Sequence, residues 1–292
     1  MFTVTLLCAP ASSSLAPALV DALQNAWGGA AVRWLAPREA AEFDVPQLPD
    51  NRWSVWEDLQ AQGIDLVVQP GEGRAKRMLL ADMDSTMIEQ ECIDELAEEA
   101  GVGAQVKDIT ARAMNGELDF EQALQARVAL LNGLDSSVIA KVLATRISFA
   151  PGGRVLVATM KRNGAYCALV SGGFTAFTSK VAAHLGFDEH RANILSIEDE
   201  MLTGHVERPI LGKEAKMAAL AQITTRLGVS QMQVLAVGDG ANDLGMLGLA
   251  GMGVALHAKP PVAAQCDVRI NFGDLTALLY LQGYTKTEFA EV

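Results

Sequence analysis

The sequence is poor in several things at once. It has four cysteines and four histidines in 292 residues, 5% aromatics, and only 23 Lys plus Arg against 35 Asp plus Glu. Cys8, Cys92, Cys167 and Cys266 form no C-x-x-C pair, which argues against a redox motif or a thiolate metal cage. They are too sparse for a disulfide framework in a chain this long, so free thiols in a reducing compartment are expected. His184, His190, His205 and His257 have no ligand-like spacing. A net charge of −12 opposes non-specific contact with nucleic acid or an anionic membrane. No stretch reaches the ~18 apolar residues of a membrane helix. The nearest, LGMLGLAGMGVAL at 244–256, is short and broken by glycine. The opening MFTVTLLCAPASSSLA has no basic residue, since the first is Arg33, and it reads as a strand rather than a signal peptide. The expectation is a cytoplasmic protein with no nucleic-acid or membrane partner.

What the chain has is apolar surface, 50% of its residues, enough for a sizeable core. Its length suggests two units. Residues 1–73 read as an α+β unit in the order strand, helix, strand, strand, helix, strand. TVTLLCA, AAVRWLA and IDLVVQP are strand-like, and all four tryptophans fall here. QPGEGRAK at 69–76 reads as a linker. Residues 74–292 change pattern. RMLLADM, AYCALVS and QVLAVGD are short apolar runs ending in polar or glycine-rich turns, with GVAL and DVRI as later candidates. Such runs separated by helices imply an α/β unit with a parallel sheet covered on both faces. Residues 88–150 are almost entirely helical in pattern. That is too long for a simple crossover, so a helical cap inserted after the first strand is expected.

Ligands of open parallel sheets bind beyond the carboxyl ends of the strands. Asp82 and Asp84 stand at one such end, Ser171, Gly172 and Gly173 at a second, and Asp239, Gly240, Asn242 and Asp243 at a third. Any one of these is an ordinary turn. Three at equivalent ends should converge. Clustered carboxylates repel unless a cation lies among them, and an all-oxygen set suits Mg²⁺. Ser171 and the glycine amides suit phosphate oxygens, and GKEAKMAAL supplies Lys213 and Lys216 as cations. One aspartate can attack a phosphoryl group while its neighbour moves protons.

The set DMDST, SGGF, a lysine ahead of a helix, and GDGAND resembles the motifs of the haloacid dehalogenase-like phosphatases. DMDSTMIEQECIDELAEEAG, FEQALQARVALLNGL, LVSGGFTAF, VGDGANDLGML and ALHAKP resemble, more narrowly, the phosphoserine branch of that family, over roughly residues 77–285. The resemblance implies a Rossmann-type sheet with an inserted cap. It also implies Mg²⁺-dependent hydrolysis of O-phosphoserine, the last step of L-serine biosynthesis. By position it makes Asp82 the nucleophile and Asp84 the acid/base and a metal ligand through its backbone carbonyl. Asp239 is then a metal carboxylate and Asp243 its support. Ser171, Gly172 and Asn242 fall at the phosphate, and Lys216, with Lys213 as fallback, is the phosphate lysine. In the cap it implies Glu91 for the ammonium, Arg127 for the carboxylate, and Met114 and Phe120 as apolar walls. The first unit resembles a ferredoxin-like ACT domain, able to serve as a homodimer contact, a packing domain or an amino-acid sensor.

Taken without the resemblance, the cap residues have plainer readings. Glu91 belongs to a run with Glu89, Glu95, Glu98 and Glu99, as on a solvated helix face. Arg127 reads as a helix-surface charge, Met114 and Phe120 as core. Two other functions compete: a phosphatase or phosphotransferase for another small amino-acid phosphate, and an inert binding protein on a phosphatase fold. The intact Asp82, Asp84 and Asp239 set speaks against the second.

Overall fold

The computed structural model describes residues 1–114 and 117–292; the side chains of 113 and 114 are outside that description, and with them the expected apolar wall at Met114. The strands are β1 (Phe2–Cys8), β2 (Arg33–Ala36), β3 (Ala40–Val45), β4 (Ile64–Pro70), β5 (Met78–Ala81), β6 (Tyr166–Phe174), β7 (Glu189–Asn193), β8 (Leu195–Glu198), β9 (Met201–Val206), β10 (Val234–Gly238), β11 (Met252–Leu256) and β12 (Val268–Ile270).

The larger sheet has the order β12-β11-β10-β5-β6-β7, and its ladders are parallel. Its centre is built by period-two patterning that is apolar on both faces. In β5, Leu79 and Ala81 join one hydrophobic cluster while Met78 and Leu80 join another. Leu235 and Val237 against Val234 and Ala236 repeat the division in β10. Burying each of these large side chains contributes roughly 1.5–3 kcal/mol. From β5 the chain goes on to β6 and β7 on one side and later to β10, β11 and β12 on the other. The switch point of the sheet therefore lies at the β5–β10 junction, where a cleft opens beyond the strand ends.

Helices 92–99, 103–114, 120–129 and 137–145 lie between β5 and β6, as expected of an inserted cap. Helix 92–99 starts where Asp84 accepts from the Cys92 amide, 2.9 Å away. Helix 120–129 starts on a capping box between Asp119 and Gln122. The β8–β9 hairpin, absent from the sequence reading, is bonded to the cap through Gly133 N to Leu202 O and Leu202 N to Leu134 O, both 2.8 Å.

The front strands form an antiparallel sheet, β2-β3-β1-β4, with helices 17–26 and 52–60. This is the strand-and-helix order expected, and the arrangement is ferredoxin-like. One face holds Val4, Leu6, Phe43 and Leu66 in a core of its own. The other face is not free. Leu7, Ala40 and Val67 belong to the same cluster as Leu278 and Tyr280 of the region that carries the larger sheet. Asp65 accepts from the amides of Asn271, Phe272 and Gly273 at 2.8–3.0 Å. Tyr280 donates its hydroxyl to Glu39 at 2.7 Å. Residues 69–76 are no loose linker: Gln69 and Pro70 finish β4, and Arg74 bonds Glu42 and the carbonyls of Tyr280 and Leu281. An apolar second face needs such a cover, which is why the linker is short and tied down.

Candidate active site

Because β5 and β10 are adjacent and parallel, their carboxyl ends deliver Asp82 and Asp239 side by side. The Asp82 amide donates to Val237 O at 3.0 Å, extending the ladder by one residue and fixing where the side chain leaves it. One oxygen from each of Asp82, Asp239 and Asp243 lies within 4.8 Å of the others. Asp243 is fully buried and both its oxygens are occupied, by Lys216 Nζ at 2.6 Å and by the Gly240 amide at 3.0 Å. It orders the cluster from beneath. Asp239 accepts from Thr86 Oγ1 at 3.1 Å.

Lys216, 2% exposed, also lies 2.7 Å from Asp82 Oδ1. That contact is out of hydrogen-bonding alignment, and Asp82 Oδ1 has no partner among the described residues. Lys213, by contrast, is exposed at the first position of the same helix.

Asp84 is turned away from this cluster, between the cap and the end of β6. Its Oδ1 takes the Cys92 amide and its Oδ2 takes Ser171 Oγ at 3.1 Å. Ser171 in turn accepts from the Gly173 amide at 2.8 Å. A Cβ on Gly173 would stand 2.6 Å from Asp84 Oδ2, so only glycine lets the loop come this near.

The cap is shut over the loops. The Phe120 ring packs against Gly172 and Gly212; a Cβ on either would come within 3.1 Å of it. Arg127 is half-buried with its Nε on Ala123 O at 3.2 Å. Burial lowers its pKa, and the carboxylates of Asp94, Glu91 and Asp84 oppose that, in this order. Glu91 accepts from Ser85 Oγ at 2.8 Å. It keeps contact with solvent, yet the protein packed about its carboxyl, and then the charge of Asp84, push its pKa up to about 7. Glu91 and Arg127, of opposite sign, are both within electrostatic reach of Asp84. Asn242 is half-buried on the third loop and makes no side-chain hydrogen bond among the described residues.

This cluster holds more carboxylates than cations. Burial raises the pKa of Asp82 more than Lys216 lowers it. Burial also raises Asp84, and burial with Asp243 beside it lifts Asp239 to about 6. Burial works against the Lys216 charge, but Asp82 and Asp243 together hold its pKa above the ordinary lysine value. One ammonium does not balance these carboxylates. Hard oxygen donors, an Asp82 oxygen held only by the Lys216 charge, and no soft ligand in the cluster fit a divalent cation.

Sequence reasoning missed several participants. Ser85 and Thr86 lie inside DMDST, where Ser85 donates to Glu91 and Thr86 to Asp239. Asp94, two positions past the start of helix 92–99, faces Arg127. Asn193 is 2% exposed and ties two loops: its Nδ2 donates to Gly172 O and Leu211 O, and its Oδ1 accepts from the Leu211 amide. Nothing in EHRAN announces that role.

The family profile for haloacid dehalogenase-like hydrolase matches residues 79–248. A phosphoserine phosphatase of Streptomyces coelicolor is 44% identical over 256 residues, which cover 86% of this chain and 62% of that protein. The chain is a haloacid dehalogenase-like hydrolase of the phosphoserine phosphatase family. It spans less than two thirds of the S. coelicolor relative's length. A solved phosphoserine phosphatase, a phospho-aspartyl intermediate analogue, is 40% identical, with TM-score 0.66 over 70% of this chain and 98% of that one. A probable phosphoserine phosphatase from Vibrio cholerae, unliganded, is 31% identical with TM-score 0.79. That likeness covers 98% of this chain and 88% of the other, so it extends across the front sheet as well. Among the described residues, no helix of this hydrolase is long and apolar enough to cross a membrane.

Proposed function

We propose that this hydrolase converts O-phospho-L-serine and water to L-serine and phosphate, the step that ends L-serine biosynthesis. Asp82 attacks phosphorus through a carboxylate oxygen, and the bond to the serine oxygen breaks. Asp84 gives its proton to that leaving oxygen, a role suited to a carboxyl whose pKa burial has raised. Water then attacks the aspartyl-phosphate while Asp84 takes its proton back, releasing phosphate and restoring Asp82. Lys216 counters charge on Asp82 throughout. Ser171, the Gly172 amide and Asn242 hold the phosphoryl oxygens. Asp82, Asp239 and the Asp84 backbone carbonyl would hold Mg²⁺, with Asp243 behind them. Bound there, the ion would supply charge neutralisation at the phosphoryl group.

What supports the substrate is that Glu91 and Arg127, of opposite sign, both lie within electrostatic reach of Asp84. A phosphate monoester with an ammonium and a carboxylate on its short body meets one partner for each. The planar guanidinium of Arg127 can take both carboxylate oxygens. The test is the ratio of kcat/KM for phosphoserine to that for p-nitrophenyl phosphate. Arg127→Ala should lower the ratio by about 10²-fold or more, because the carboxylate would be buried unpaired, and Arg127→Lys by less. An equal loss on both substrates would show Arg127 to be structural and would leave the other small amino-acid phosphates as the better reading.

A further inference from the structure

A cavity of about 380 Å³ lies away from the aspartates, between the front sheet and the edge of the catalytic sheet. Its size falls within the roughly 300–1,000 Å³ of small-molecule sites. Leu66 and Val68 of β4 line one wall; Leu247 and Met252 line the wall opposite. Arg52 and Trp56 reach it from helix 52–60.

One cation here has no anionic partner. The Arg52 guanidinium, 5.4 Å from the Trp53 ring, makes no ion pair or side-chain hydrogen bond among the described residues. Its neighbour Arg269 is committed, with Nε on Cys266 O at 2.8 Å and its guanidinium 4.1 Å from the Trp53 centroid. Asp267 stands at the rim, exposed to solvent. In a chain with net charge −12, a local cation without a partner is what an anion would need.

We propose that this cavity is a binding site for a small carboxylic acid with an apolar body. The carboxylate pairs with Arg52, and the body fills the space between β4 and Leu247. The site joins two regions that pack together only in the folded chain, so occupancy stabilises the fold as well as perturbing the tryptophans.

The full chain would be titrated with 3-phenylpropionate, reading tryptophan fluorescence and Tm. The expected result is a saturable fluorescence change with a rise in Tm. The neutral amide of the same acid, and acetate, should each bind at least fivefold more weakly. Arg52→Gln should weaken 3-phenylpropionate at least fivefold. Gly248 lines the cavity, and a Cβ there meets nothing within 4 Å. Gly248→Leu sets a bulky side chain at the cavity rim and should weaken the response at least fivefold. It should leave the Tm of the unliganded protein the same or higher, since leucine favours helix over glycine. The proposal is overturned if no saturable response appears. It is also overturned if folded Arg52→Gln and Gly248→Leu proteins bind 3-phenylpropionate as the parent does.

Discussion

In the front sheet, Asp65 is wholly buried and its oxygens are filled by three backbone N–H groups of residues 271–273. In the catalytic sheet, Asp82 is almost as buried, at 5%, and one of its oxygens has nothing aligned upon it. Burial raises the pKa of both. The difference lies in what surrounds them. Asp65 sits in a ring of donors that pins a loop, while Asp82 sits among other carboxylates with a single lysine. A buried aspartate becomes reactive when its neighbours leave it unfinished, and structural when they complete it.

The strongest way to break this contrast is at Asp82. Asp82→Asn keeps the shape and removes the nucleophile, so kcat should fall by roughly 10⁴-fold or more, as for other covalent nucleophiles. Asp84→Asn should be comparably severe, with both chemical steps losing their proton carrier. An Asp82→Asn protein of full activity, checked by mass spectrometry for deamidation, would end the covalent mechanism. Exhaustive chelation should also abolish turnover, with Mg²⁺ restoring it; undiminished activity after chelation would refute the metal site.

Next in size is removal of the front sheet. A chain starting at Arg74 keeps every catalytic side chain but uncovers Leu278, Tyr280 and their neighbours. It also leaves the 271–273 amides without Asp65. We expect poor soluble yield and loss of cooperative unfolding by circular dichroism. A soluble, fully active truncated protein would show that the two sheets are independent. Asp65→Asn is gentler. Its amide NH₂ would meet backbone donors, or else leave one set unpaired. It should cost about 1–3 kcal/mol in urea unfolding, with kcat unchanged. A matching loss of kcat would mean that the nest acts on the active site.

The smallest expected effect is at Lys213. Lys213→Ala should stay within about 0.5 kcal/mol of the parent stability, as exposed substitutions do, and keep its activity. Lys216→Ala, three residues on, should leave Asp82 and Asp243 buried together without their cation and impair both. Equal effects would contradict the assignment of the phosphate lysine.

Much of the catalytic sheet was legible because its central strands are continuous apolar runs that end in chemistry. β7 was not, since EHRAN is an edge strand, charged and half-exposed, and such strands carry no apolar signal. β3 was counted but not located, since AAEFDV mixes a buried acid into its run. The β8–β9 hairpin is equally polar. At the site, the strand-end motifs gave the aspartates, Ser171 and the glycines. The choice between the two lysines was open in the motif but not in the helix. Lys216, Ala219, Leu220 and Ile223 form one buried stripe at i, i+3, i+4 and i+7, which leaves Lys213 at the exposed start. Asn193 was out of reach, because its partners are backbone groups of two distant loops.

The cover on the front sheet also sets a timetable. Asp65 and the amides it binds are separated by 206–208 residues. At ribosomal rates of about 5–20 residues per second, that interval is roughly 10–40 s. During it, β1, β3 and β4 are already made, with one face apolar and acidic and nothing to lay upon it. Formation of that contact is non-local, and such contacts slow folding. The front sheet leaves the ribosome before the larger sheet and is among the last parts to be finished, so the nascent chain is exposed to misassociation before its active site exists.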